Sequence, residues 1–154
     1  MSVTPTDVLD GPKGSDVAPP KNVPGIVTKS GTIRGLDFAK ASKPGNKLRV
    51  IPLVKGTGDP IKGAKIVKMN FIGQVFGHKK PFENSYTKPE PATFVVGGHQ
   101  LIPGWDKALQ GQRVGSRLLL IVPPAQGYGK RGNPQIGVTG TSTLVFVMDV
   151  LGVG

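Results

Sequence analysis

Leu101-Ile102-Pro103-Gly104-Trp105-Asp106-Lys107-Ala108-Leu109-Gln110-Gly111 decides how this chain folds, because it is the stretch that reads as a helix. Pro103 stands where a first-turn proline belongs, since its missing N–H would have no intrahelical acceptor there. Trp105, Ala108 and Leu109 fall at i, i+3 and i+4 and make one apolar stripe, and Gly111 supplies a C-terminal stop. Two turns of helix are unstable alone in water. The segment must therefore lie against a sheet with Trp105 turned inward.

Around that segment the remaining signals are strands. Leu48–Val54 is a β-branched run interrupted by Pro52, which places it at a sheet edge. Val67, Met69 and Phe71 alternate with Lys68, Asn70 and Ile72, the period of a half-buried strand. Thr93–Val96, Arg117–Val122 and Thr143–Leu151 follow. In the last of these Leu144, Phe146, Met148 and Val150 load one face and Val145, Val147 and Leu151 the other, as in a central strand. The fold expected is α+β: a curved antiparallel sheet of about five to six strands, a half-barrel, wrapped over one short helix.

Composition agrees. Gly numbers 23 and Pro 15 in 154 residues, about a quarter of the chain and a punctuation suited to short strands and turns. Residues 1–24 hold Pro5, Pro12, Pro19, Pro20 and Pro24 among small and polar residues, and read as a disordered or extended tail. Residues 25–46 read as an irregular arm or an extra edge strand. Residues 47–154 are the folded domain. Between Val122 and Thr143 no periodic segment occurs, and a loop of that length in a compact domain is usually functional.

Several functions are excluded. There is no cysteine, hence no disulfide, thiolate metal site or cysteine nucleophile. With His78 and His99 the only histidines, no metal site is expected. No apolar run approaches the roughly 20 residues that cross a bilayer. The N-terminus shows no basic start and no apolar stretch, so no signal peptide is visible. The compartment stays open: cytoplasmic, or outside the cytoplasm if an export signal was trimmed. The net charge is +11, and Lys62, Lys65, Lys68, Lys79 and Lys80 follow one another without an acid. Lacking interleaved arginine and aromatic residues, they read as a solvated face rather than a nucleic-acid footprint.

Catalytic groups are scarce. No Ser/His/Asp set, phosphate-cradling loop or carboxylate pair can be assembled, and His99, at a strand-to-helix turn, reads as a surface residue and not a general base. The aromatic residues carry more. Phe71, Phe82, Phe94, Trp105, Tyr128 and Phe146 are spread over strands, helix and loops, more than a small half-barrel can bury. Tyr128, on the long loop, is the least suited to a core. An apolar cleft with a few polar handles is the usual form of a small-ligand site.

From about residue 47 onward the chain resembles the FKBP-type peptidyl-prolyl isomerases, the immunophilins that bind tacrolimus and rapamycin, in the style of actinobacterial members. The resemblance is carried by Leu53-Val54-Lys55-Gly56-Thr57-Gly58, Val67-Lys68-Met69-Asn70-Phe71-Ile72-Gly73, Phe82-Glu83-Asn84-Ser85, Phe94-Val95-Val96-Gly97 and Leu101–Leu109. Val114-Gly115-Ser116-Arg117, Val122–Gly129 and Thr143-Leu144-Val145-Phe146 complete it. It implies an isomerase of X-Pro bonds that assists protein folding, with Trp105 as pocket floor and Phe71, Phe82, Phe94, Leu101, Ile102 and Phe146 as walls. It further implies that the Tyr128 hydroxyl and the Ile102 N–H bond substrate carbonyls, that Glu83 stands at the site, and that Ile136 lines a flap formed by the long loop. Partners so implied are proline-containing peptides or unfolded proteins and macrolides such as tacrolimus or rapamycin, with no cofactor. The chain departs from the family pattern in having Phe71 for a common Tyr, Glu83 for Asp and Asn133 for a flap histidine, with one extra residue between Ile136 and Leu144. The competing readings are a non-catalytic peptide- or partner-binding module using the same pocket and, on charge alone, a nucleic-acid binder.

Overall fold

The structure, a computed structural model, describes residues 8–154. Its strands are β1 (Gly14–Asp16), β2 (Gly25–Lys29), β3 (Thr32–Asp37), β4 (Arg49–Gly56), β5 (Lys65–Val75), β6 (Glu83–Asn84), β7 (Ala92–Val96), β8 (Arg117–Val122) and β9 (Leu144–Val153), and its helix is α1 (Pro103–Leu109). Seven strands form one antiparallel sheet in the order β1-β4-β8-β9-β5-β6, with β7 pairing a second stretch of β5. Against the five to six expected, the sheet gains β1 and β6, three and two residues long and too short to carry a pattern.

β9 is central, as its two apolar faces require. Val147 lies opposite Leu119 of β8 on one side and Ile72 of β5 on the other. Leu144, Phe146, Met148 and Val150 pack with Val67, Met69, Phe71, Leu118, Leu120 and Val122 against Trp105, Ala108 and Leu109 of α1. Val145 and Val147 enter a second core on the reverse face with Ile51, Ile72, Leu119 and Ile121. α1 begins at Pro103, carries Asp106 in its first turn, where the helix dipole favours an acid, and gives way to Gly111 at φ +83°.

The second core is closed by the segment read as an irregular arm or an extra edge strand. β2 and β3 form a hairpin whose two-residue turn, Ser30-Gly31, has φ of +54° and +79°, the pattern that matches strand twist. Ile33 and Leu36 of β3 complete the reverse core. The buried Gln74 side chain docks the hairpin by accepting from the Leu36 N–H (3.0 Å) and donating to the Leu36 carbonyl (3.3 Å). Asn84 Nδ2 donates to the Ile33 carbonyl (3.0 Å).

Part of the segment read as a disordered or extended tail is likewise paired. β1 runs antiparallel to β4, and the Leu9, Lys13 and Val17 N–H groups donate to the carbonyls of Leu151, Gly115 and Leu53, each at 2.9 Å. Residues 1–7 of that segment lie outside the described residues. β1 covers β4 only from Val54 to Gly56, so Pro52, beside a shift of register, keeps the edge position its missing N–H demands.

Among the described residues no helix is long and apolar enough to cross a membrane, and no group of three or more metal-ligating side chains comes together.

Candidate aromatic cleft

The cleft is built on Trp105. Its indole, 5% exposed, meets three phenylalanine rings edge to face: Phe71 at 5.0 Å, Phe94 at 5.0 Å and Phe146 at 5.2 Å between centroids. Phe146 in turn meets Phe82 at 5.9 Å, again near perpendicular. Such pairs contribute about 0.5–1.5 kcal/mol each beyond the area they bury. Their geometry fixes a corner and does not fill it. Above the indole lies a cavity of about 290 Å³.

Each wall is positioned by its element. Phe71 and Phe146 project from adjacent strands, β5 and β9, onto the same face. The Phe71 N–H donates to the buried Ser85 Oγ (2.7 Å), which itself donates to Asn70 Oδ1 (2.9 Å), so the strand is held from the loop after β6. The Phe82 N–H donates to the Gly73 carbonyl (2.9 Å). Asp106 Oδ1 accepts from the N–H of Gly97 (2.7 Å), tying α1 to the end of β7, which carries Phe94. Ile102 precedes the helix in extended conformation and its carbonyl accepts from the Trp105 N–H (3.0 Å). Its own N–H has no protein acceptor among the described residues.

The long loop forms the remaining side through three short 3-10 turns, Pro124–Gln126, Gly129–Arg131 and Pro134–Ile136. It is closed on itself by a reciprocal backbone pair, Asn133 N–H to Val138 O at 2.8 Å and Val138 N–H to Asn133 O at 3.0 Å. Tyr128, 37% exposed, and Ile136 stand on it at the cavity.

All ten residues singled out from the sequence line this one cavity: Phe71, Phe82, Glu83, Phe94, Leu101, Ile102, Trp105, Tyr128, Ile136 and Phe146. Gln100 and Asn133 join them. Nothing in the sequence marks Gln100 except its place beside Leu101, and Asn133 is the departure from a common flap histidine. His99, exposed at φ +61°, is not among them; it borders a different hollow beside Pro103 and Asp106.

Polar groups at the cavity are few. Glu83 pairs with Lys88 at 2.5 Å, both side chains well exposed, a surface contact of small energetic weight. With phenylalanine at position 71, no hydroxyl reaches Glu83 from β5. The Trp105 Nε1–H is buried without a partner among the described residues, and an unmet buried donor costs about 1–3 kcal/mol. A hollow of about 340 Å³ between Leu9, Lys13, Asp59 and Val153 is somewhat larger, but it has no aromatic wall and shares no residue with the cleft.

Residues 58–151 match the family described as FKBP-type peptidyl-prolyl cis-trans isomerase. The chain is 31% identical over 118 residues to the FK506-binding protein of Streptomyces anulatus, covering 77% of this chain and 94% of that one. It is 39% identical over 98 residues to the FKBP-type peptidyl-prolyl cis-trans isomerase FkpA of Escherichia coli K12, covering 64% of this chain but only 34% of the relative. Among solved structures, that of AtFKBP13 superposes with a TM-score of 0.62 at 26% identity, over 70% of this chain and 93% of that one. The crystal structure of FkpA from Escherichia coli also gives 0.62, at 37% identity over 69% of this chain and 47% of FkpA.

Proposed function

The chain belongs to the FKBP-type peptidyl-prolyl cis-trans isomerases, and on that premise we propose that its cleft takes in the proline ring of an X-Pro segment above Trp105 and catalyses rotation of the bond before it. The observation that carries this reading is the indole meeting three phenylalanines edge-on beneath a cavity that also holds Tyr128.

Rotation about X-Pro faces a barrier of about 20 kcal/mol because twisting breaks amide resonance. The planar amide, with its nitrogen lone pair delocalised onto oxygen, is more polar than the twisted one. Water therefore stabilises the starting state more than the transition state. Phe71, Phe82, Phe94, Leu101, Ile136 and Phe146 exclude that water, and a group that disfavours the planar form relative to the twisted one lowers the barrier. The Ile102 N–H and the Tyr128 hydroxyl hold the carbonyls on either side, so the bond turns while its flanks stay fixed. Glu83, engaged by Lys88, serves as a polar lip to the cleft. No proton transfer and no covalent intermediate is needed for such a rotation.

The substrates on this reading are proline-containing stretches of unfolded proteins, which makes the chain a folding assistant. The name FK506-binding protein, borne by the Streptomyces relative, supports a macrolide competing for the same cleft. Isomerisation of a proline tetrapeptide, followed with and without tacrolimus at catalytic protein concentration, tests both points. Acceleration abolished by the macrolide is the result expected. Macrolide or peptide binding without acceleration would replace the enzyme by a binding module.

A further inference from the structure

Charge is unevenly set around the mouth of the cleft. From Lys107 to Met148 the chain contains no acidic residue, but it contains Lys107, Arg113, Arg117, Lys130 and Arg131. Arg117 is occupied by Asp149 in a bidentate pair. Arg113 donates to the Gly58 carbonyl, and Lys107 Nζ to Gln126 Oε1 at the start of the long loop. Lys130 and Arg131 have no such partner among the described residues. Both are exposed, in the 3-10 turn between Tyr128 and Asn133, and those two residues line the cavity.

The part of the cavity without long-loop residues differs. There a hollow of about 430 Å³ lined by Lys88, Glu90 and Pro91 continues the cavity, sharing Phe71, Glu83 and Phe94 with it. Of the charged residues that line this hollow, Lys88 pairs with Glu83 and Glu90 has no cation partner among the described residues; Lys79 and Lys80, exposed just before Phe82, lie outside its lining. A polypeptide that runs from this hollow to the long loop therefore passes from a lining of one ion pair and Glu90 to the two exposed cations Lys130 and Arg131.

We infer that Lys130 and Arg131 are specificity-determining residues, selecting X-Pro segments that carry an acidic side chain on the long-loop side of the proline; this rests on the isomerase reading above. Rim charges act chiefly on encounter and register and are screened by salt. Exposed pairs are individually weak, so two of them correspond to roughly a threefold to tenfold preference at low ionic strength.

The test uses peptides with one X-Pro core and Glu, Gln or Lys placed two residues before or two residues after it. For each, kcat/KM is measured, along with affinity from quenching of Trp105 fluorescence, at about 20 mM and about 500 mM salt. The expected result is Glu over Gln over Lys in one of the two placements, fading at high salt. Lys130→Glu with Arg131→Glu should invert the ratio of the Glu to the Gln peptide. Lys29→Glu with Lys40→Glu changes net charge equally, with Lys29 in the hairpin on the reverse face and Lys40 just beyond it, and should only weaken that ratio. Equal ratios in both placements, or the same change from both double variants, overturn the inference and reduce the effect to net charge. Affinity keeps the two proposals apart. Ranked binding without turnover would remove the isomerase and keep the rim, turnover without ranking would do the reverse, and no peptide binding would sink both.

Discussion

Gly73 of β5 lies directly under Phe82: a methyl group at its Cα would stand 2.7 Å from Phe82 Cζ and 2.7 Å from Phe146 Cε1. The glycine lets two walls of the cleft meet over the strand. Gly73→Ala must push both rings, and the cheapest direction open to them is into the cavity. Overpacking of this kind costs about 1–3 kcal/mol. The variant should fold, melt earlier and show a raised KM for proline peptides with a smaller change in kcat. Urea unfolding and peptide isomerisation check it; an unaltered KM would remove Phe82 from the substrate's path.

Trp105 serves both core and cleft, and two substitutions separate these parts. Trp105→Ala empties the corner between Phe71, Phe94 and Phe146, and truncations of buried aromatics cost about 3–5 kcal/mol. Trp105→Leu keeps part of the apolar volume there while giving up the three ring contacts and a donor that has no acceptor among the described residues. The leucine variant should retain the far-ultraviolet dichroism and lose at least tenfold in kcat/KM. A folded leucine variant of full activity would take the indole out of the mechanism.

Why the cleft was legible and the reverse face was not follows from the kind of signal each leaves. Trp105 sits on an apolar stripe of helical period behind a first-turn proline, and β9 is apolar on both faces, so helix and central strand could be read from side chains alone. The hairpin β2–β3 is specified by a two-residue turn and by main-chain pairing, with Ile33 and Leu36 its only fully buried apolar residues. β1 rests on backbone bonds, and Gly14 is required because a Cβ there would overlap the Lys55 carbonyl. Hydrogen bonds between peptide groups leave no periodicity in a sequence. Residue identities named the ten cavity residues through resemblance; the Glu83–Lys88 pairing and the space over Gly73 are matters of distance, which the letters do not encode.

The hairpin closes the reverse core without touching the cleft, so stability and catalysis should separate there. Ile33→Ala removes a side chain that is 4% exposed among Ile51, Ile72, Leu119 and Val145. A loss of about 2–4 kcal/mol is expected. Isomerase activity per folded molecule, measured well below the melting temperature, should stay within twofold of the parent. A large fall in kcat at unchanged folding would mean that the contact from Asn84 to the Ile33 carbonyl, one residue from Glu83, governs the cleft.

The reverse face also carries the molecule's alkaline limit. Asp149, 2% exposed, holds Arg117 through two bonds of 2.6 and 2.9 Å. Tyr86 lies beside them, half-buried, with its hydroxyl covered and its nearest charges Asp149 and Arg117. Burial pushes this phenol far above its ordinary value, and the charge of Asp149 adds to the effect while Arg117 opposes it. In the unfolded chain Tyr86 ionises near pH 10. Above that pH the folded state retains a proton that the unfolded state releases, so stability falls as pH rises, by up to about 1.4 kcal/mol per pH unit for this one group. Below pH 10 it is neutral in both states and contributes no slope. Tyr86→Phe should therefore match the parent closely at pH 7, where the phenol is neutral in both states, and unfold less steeply between pH 10 and pH 11. Asp149→Asn, by contrast, leaves Arg117 without its counter-charge and should cost about 3–5 kcal/mol already at neutrality. Urea titrations of the three proteins from pH 7 to pH 11 decide the matter, and parallel curves for parent and Tyr86→Phe would show that the phenol ionises in place.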